Sequence, residues 1–189
     1  MRRVVRLAAF LNLAYFGIEF AVAVAIGSVS LFADSIDFLE DTALNFLILL
    51  AVNRNARYRA RMGMVLAGLL LVPGIATLWT AWRKFNVPAP PSPVPLSLAG
   101  AGALAVNFTC AMMLARYRQH SGSLTRAAFL SARNDVLANL AIIAAGCITV
   151  FTQSAWPDLI VGLGIGLMNA GAAKEVYQLA RKEHRATST

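Results

Sequence analysis

Six long apolar segments, divided by short basic stretches, constrain the fold of this chain more than any other feature of its sequence. Each is long enough to cross about 30 Å of hydrocarbon as a helix, which satisfies its own backbone polar groups. The sequence therefore predicts an all-α membrane protein with six transmembrane helices. The segments run approximately from Val4 to Ile26, Val29 to Val52, Met62 to Trp82, Val94 to Ala115, Ala127 to Thr152 and Trp156 to Ala180.

The composition excludes a water-soluble globule. Of the 189 residues, 58% are hydrophobic and 14% are charged, whereas about a quarter of the residues in a soluble domain are charged. Six spans leave no room for a sizeable soluble domain. We therefore expect residues 1–189 to form a single transmembrane domain, with no soluble C-terminal domain.

The basic residues lie mainly on one side of the predicted spans. By the positive-inside rule, both termini are then cytoplasmic, and we expect a multi-pass protein of the bacterial inner (plasma) membrane. The net charge of +8 would suggest nucleic acid in a soluble protein, but this distribution indicates a lipid bilayer and no nucleic-acid partner. The side predicted to be cytoplasmic has Arg2, Arg3, Arg6, Arg54, Arg57, Arg59, Arg61, Arg116, Arg118, Arg126, Lys174, Arg181, Lys182 and Arg185, and the opposite connections have Arg83 and Lys84.

Acidic residues inside the second span are the first candidates for a functional site. A charge in hydrocarbon costs several kcal/mol on most estimates, so an intramembrane acid is a candidate for a functional site by default. Asp37 and Asp41 are one helical turn apart and share a face, with Asp34 one turn further along roughly the same stripe. Glu40 points away from that stripe.

The fifth span supplies a further carboxylate at similar depth. Asp135 and Asp37 both lie about 12 Å inside their spans at 1.5 Å per residue, and Ser131 and Asn139 flank Asp135 at one turn on either side. The three negative charges of Asp37, Asp41 and Asp135 cannot stay close together unless a cation or protons compensate them. Carboxylate oxygens suit divalent metals. The alternative is a structural network in which the acids pair with Arg133 or with Asn side chains.

The remaining polar residues in the spans allow simpler interpretations. Glu19, with Asn12 in the first span, forms either a hydrogen bond between helices or part of the pathway. Asp158 is expected in the first turn of the last helix, where the helix dipole favours an acid. Cys110 and Cys147 are interpreted as buried small hydrophobic residues. His120 and His184 lie in basic stretches and are expected to be solvated.

The sequence around these acids resembles that of a known family. Residues 27–41, GSVSLFADSIDFLED, resemble the second-helix signature of the cation diffusion facilitators, which export zinc and related divalent metals. Residues 131–139, SARNDVLAN, are similar to that family's metal-binding segment in the fifth helix. The resemblance continues to Asp158 and the glycines of residues 162–166, so it covers the whole six-helix unit.

The resemblance implies a tetrahedral transport site between helices 2 and 5. Its metal ligands would be Asp37, Asp41, Ser131 and Asp135. The commonest family residue at the position of Ser131 is His. A hydroxyl is a weak ligand, so three carboxylates with Ser131, Asn134 or water would make a harder, oxygen-rich site. Such a site favours manganese, iron or cobalt, or binds zinc more weakly; cadmium is the remaining candidate.

The leading hypothesis is efflux of a divalent metal coupled to proton antiport, with metal ions and protons as partners. We expect no enzymatic activity and no resident cofactor, because the metal is the substrate. The alternative is a non-transporting or degenerate family member that acts as a membrane subunit. A lipid phosphotransferase is disfavoured because the Gly and Arg that accompany its paired aspartates are missing near Asp34–Asp41.

Two departures from the family pattern concern regions outside the site. The stretch from Asn53 to Arg61 is basic, whereas most members have a His-rich stretch after the second helix. Most members also have a cytoplasmic domain that binds metal and holds a dimer, whereas this sequence ends at Thr189. Accessory metal sites are therefore not expected, and a homodimer, if one forms, must use membrane helices.

Overall fold

The computed structural model describes residues 2–51, 75–115 and 123–168. All regular secondary structure within these ranges is helical, which confirms the all-α prediction. We number the helices α1 (Arg2–Ile26), α2 (Val29–Ala51), α3 (residues 75–86), α4 (Pro93–Ala115), α5 (Ser123–Thr152) and α6 (Trp156–Met168). Among the described residues, α1, α4 and Ser131–Thr152 of α5 are long and apolar enough to cross a membrane. The count of six spans and the side of the termini stay predictions.

The helix ends agree with the predicted segments to within a few residues, except in α3 and at the start of α5. α4 begins at Pro93, where the fixed φ of proline suits a first helical turn and its missing N–H breaks no hydrogen bond. The closely spaced prolines between Asn86 and Pro95 predict an extended connector without a helix, but the non-helical stretch is only 87–92, and Pro93 and Pro95 lie in α4. α3 continues to residue 86, so the prediction of a loop at Arg83 and Lys84 was wrong. Residues 62–74 and 169–180 lie outside the described ranges.

Four helices surround the centre of the fold. α1 packs on α2 and α4, and α5 packs on the same two helices, so the order around the ring is α1, α2, α5, α4. One core cluster unites Ala23, Leu31, Leu96, Ile142 and Ile165, which come from five different helices. α3 and α6 lie beside this ring and meet the start of α2 through a second cluster of Val29, Ala81 and Leu159.

Large apolar side chains cover the outside of the helices. Leu98 on α4 and Ile160 on α6 are 68% and 64% exposed, a pattern that suits contact with lipid rather than water. Cys110 is buried as predicted, whereas Cys147 is exposed, so the prediction of a buried Cys147 was wrong. α5 is apolar on most of its circumference, and hydropathy alone therefore could not say which side faces the ring.

The turn between α1 and α2 is held by a buried network, and we call this end of the bundle the Gly27 end. Gly27 has a φ of +64°, a left-handed conformation that favours glycine after a helix. Asp158, in the first turn of α6, accepts hydrogen bonds from the backbone N–H groups of Val29 and Ser30 at 2.9 and 3.1 Å. It also accepts from the hydroxyls of Ser28 and Ser30. An acid from one helix thus caps the N-terminus of another.

Lys84 completes this network from α3. Its Nζ lies 3.0 Å from the Asp158 carboxylate and donates to the Gly27 carbonyl. The two side chains are only 6% and 0% exposed. The sequence predicted the place of Asp158 in the first turn of α6, but not the capping of α2 or the ion pair.

Replacing Lys84 with Met should destabilise the bundle by about 3 kcal/mol, because removal of one partner leaves a buried charge uncompensated. We expect a clear fall in the thermal unfolding midpoint of the detergent-purified protein. Arg83→Met is the matched control, since Arg83 is the exposed neighbour on the same helix. Equal midpoints for the two variants would show that the Lys84–Asp158 pair does not stabilise the fold.

Candidate metal centre

The residues predicted to bind metal lie on α2 and α5, which pack against each other. Asp37, Asp41 and Asp135 are 9%, 4% and 8% exposed, and Ser131 is half-buried. The carboxylate of Asp135 interacts electrostatically with those of Asp37 and Asp41. The acids on α2 and α5 thus form one group of mutually repelling charges across the interface between the two helices.

Hydrogen bonds to Asp41 come from two other helices. The Asn12 side-chain amide on α1 approaches Asp41 Oδ2 at 3.4 Å, and the Ser131 hydroxyl on α5 is a further hydrogen-bond partner. Cys110 on α4 in turn donates its Sγ–H to Asn12 Oδ1 at 3.5 Å. Asn12 is 0% exposed, so all four helices of the ring meet around Asp41.

In both α2 and α5, an asparagine one turn after an aspartate makes the same hydrogen bond to the aspartate's backbone carbonyl. Asn45 donates to the backbone carbonyl of Asp41 at 2.8 Å, and Asn139 donates to that of Asp135 at the same distance. Both amides are buried, and the Oδ1 atom of each has no hydrogen-bond partner among the residues that the structure describes. The Asp-x-x-x-Asn spacing in α2 and α5 could have revealed this pair. Asn139 was identified from the sequence as lying one turn from Asp135, whereas Asn45 was not identified.

The structural-network alternative has one contact in its favour. Arg133 is exposed and donates to Asn134 Oδ1 at 3.4 Å, so it points away from the buried acids. The contact between Asn12 and Asp41 is of the Asp-to-Asn kind and joins α1 to α2. At 3.4 Å it is long for a hydrogen bond, and it leaves Asp37 and Asp135 without compensation.

The carboxylates do not converge on a closed coordination sphere. Within the described ranges, no three His, Cys, Asp or Glu side chains have the arrangement of a metal site. The structure therefore brings the acids to one interface but leaves them further apart than ligands of a common ion. A cation that entered between α2 and α5 would have to draw these side chains together.

The sequence comparison decides the family. The family profile described as the cation efflux transmembrane domain matches residues 5–183. This chain belongs to the cation efflux family. The match extends over nearly the whole chain, and it confirms the family resemblance that the residues of α2 and α5 indicated. A search of curated proteins finds no match to the chain.

Membership of the cation efflux family establishes the general activity. The chain is a membrane protein of a family of cation transporters, which are not enzymes. The identity of the metal, the exchange of protons and the ligand set stay predictions. His120, His184 and the stretch Asn53 to Arg61 lie outside the described residues.

Proposed function

We propose that this chain is a divalent metal exporter that exchanges its substrate for protons at a carboxylate site between α2 and α5. The observation that supports this function best is the meeting of Asp37, Asp41 and Asp135 at one buried helix interface. In a low-dielectric interior, three negative charges need compensation. A divalent cation supplies it in one step of the cycle, and protons supply it in the other.

The chemistry of the side chains suggests the class of metal. Asp37, Asp41, Asp135 and Ser131 offer only oxygen, and the unpartnered amide oxygens of Asn45 and Asn139 are close in sequence to two of them. Oxygen ligands suit hard cations more than thiolate or imidazole sites do. We therefore propose manganese, iron(II) or cobalt as the better substrates, with zinc and cadmium bound more weakly.

The charge distribution supports an orientation for the transporter. We propose six spans with both termini in the cytoplasm and the proline-rich connector 87–92 outside. At the Gly27 end, the exposed side chains of Phe85 and Trp156 form an edge-to-face pair with ring centroids 6.0 Å apart. Such a pair suits a membrane–water interface. The bacterial inner membrane is the proposed location, and any dimer would form through membrane helices.

Transport by purified protein in sealed lipid vesicles tests the function. We expect uptake of manganese or cobalt together with a change in internal pH, reported by a metal-sensitive and a pH-sensitive dye. Magnesium serves as the control cation because it dehydrates reluctantly and demands octahedral geometry. Metal-independent behaviour of both dyes would favour a non-transporting membrane subunit and reject the exporter.

A further inference from the structure

A second pair of buried acids lies between α1 and α2, about one helical turn beyond Asp37 toward the Gly27 end. Glu19 on α1 and Asp34 on α2 interact with each other through their carboxyl groups. Each lies seven residues from the Asn12–Asp41 contact, which is two helical turns, or about 10 Å, toward the Gly27 end. The ring contact of Tyr15 with Phe38, at 5.1 Å, lies between the two levels.

The Glu19–Asp34 pair is sealed from its surroundings. Both residues are 0% exposed, whereas Asp37, Asp41 and Asp135 retain a small exposed fraction. None of the four carboxyl oxygens has a hydrogen-bond donor among the described residues. An ionised carboxylate buried in this way would be very costly. The negative charge of the pair must therefore be compensated by an ion that occupies almost no volume.

Among the side chains that the structure describes, no positively charged group hydrogen-bonds to this pair. Lys84 is bonded to Asp158 and Gly27, and Arg133 is exposed and bonded to Asn134. The Tyr15 hydroxyl, which interacts electrostatically with both acids, donates instead to the Ala99 carbonyl at 2.6 Å. A bound metal ion fits poorly, because divalent cations take at least four ligands and both side chains are 0% exposed, which leaves little space for further ligands.

We propose that Glu19 and Asp34 form a proton-binding site in which two carboxyl groups share one proton, separate from the metal centre. The O–H of one group then donates to the carboxylate oxygen of the other, and loading one proton changes the charge of the pair from −2 to −1. Two carboxylates in contact bind one proton strongly for this reason. The further claim that this proton is exchanged for metal rests on the function proposed above.

The neighbouring groups make the pair responsive to the metal centre. The titratable side chains that interact with it are Tyr15 on α1, Asp37 and Asp41 on α2, and Asp135 on α5. All of them are neutral or negative, so they favour a proton on the pair. A divalent cation at the metal centre, whose proposed ligand Asp37 is one turn from Asp34, opposes that proton by electrostatic repulsion. Metal binding would therefore promote release of the proton.

Infrared spectroscopy of the purified protein tests the shared proton without any transport. We expect a carbonyl band of a protonated carboxylic acid that persists at pH values where exposed carboxyl groups are ionised. Glu19→Gln and Asp34→Asn, each of which replaces an acid by an amide of the same shape, should both reduce this band, whereas the protonated acids of the metal centre keep their own part of it. A spectrum unchanged in either folded variant would overturn the proposal.

Coupled flux in vesicles tests the role of the proton. In Glu19→Gln we expect metal to move while the ratio of protons to metal falls below that of the wild type, because only the protons exchanged at the metal centre remain. The exchanged variant Glu19→Asp with Asp34→Glu keeps both carboxyl groups and should retain coupling, which a merely structural role would not predict. A wild-type ratio of protons to metal in Glu19→Gln would overturn the coupling claim. Absence of metal flux in the wild type would instead reject the proposed function, and the infrared result would still decide the proton site.

Discussion

Replacing Asp41 with Asn is expected to abolish metal transport while the protein still inserts and folds. Asp41 is 4% exposed, contacts Asn12 and Ser131, and shares its interface with two other acids. Loss of even an outer partner of a metal ligand costs roughly 10- to 100-fold in affinity, and loss of a ligand should exceed this. Removal of one negative charge also relieves repulsion among the acids, so stability should not fall.

The flux of manganese or cobalt into vesicles measures this effect, and Asp37→Asn and Asp135→Asn should behave in the same way. Glu40→Gln is the matched control, because Glu40 is adjacent in sequence and only half-buried. It should retain most of the flux. Undiminished transport by Asp41→Asn in correctly assembled protein would remove the site from α2.

Introducing His at position 131 should shift the metal preference toward zinc. Ser131 hydrogen-bonds Asp41 and lies one turn before Asp135, so a longer side chain there projects toward the same acids. A neutral imidazole is a good zinc ligand. We expect Ser131→His to raise the ratio of zinc to manganese affinity on the order of tenfold, the effect of about 1.4 kcal/mol.

Competition between zinc and manganese for the purified variant measures this ratio. The gain should disappear as the pH falls through the imidazole's titration, near pH 6.5 in model peptides. Arg133→His is the control, since residue 133 is exposed on the same helix and an imidazole there should change nothing. An unaltered ratio in Ser131→His would mean that residue 131 does not face the cation, and Asn134 or Asn139 would become the better candidate.

The fold could be predicted from the sequence wherever a local cause determines it. Apolar length predicted the helices, and Pro93 and Gly27 mark the ends that the structure describes for α4 and α1. The position of Lys84 depends instead on tertiary contacts. A lysine beside tryptophans at the end of an apolar segment suggests a solvated loop, and only the packing of α3 against α6 shows that it pairs with Asp158.

The candidate site could be predicted in part for the same reason. The spacing of Asp37 and Asp41, and of Ser131 and Asp135, follows from the helical repeat and needs no knowledge of neighbouring helices. Contacts between helices depend on how α1 lies against α2. Asn12 and Glu19 could not be assigned to partners from sequence, although both lie opposite acids of α2, at Asp41 and Asp34.

Equilibrium titration of the purified protein with manganese and cobalt, followed by calorimetry, tests the central claim most directly. We predict one divalent cation bound per chain with release of protons, because binding at a protonated carboxylate site displaces them. The triple variant Asp37→Asn, Asp41→Asn, Asp135→Asn should bind no metal, while Glu40→Gln should bind as the wild type does. Wild-type stoichiometry and affinity in the folded triple variant would contradict the assignment of the metal centre to α2 and α5.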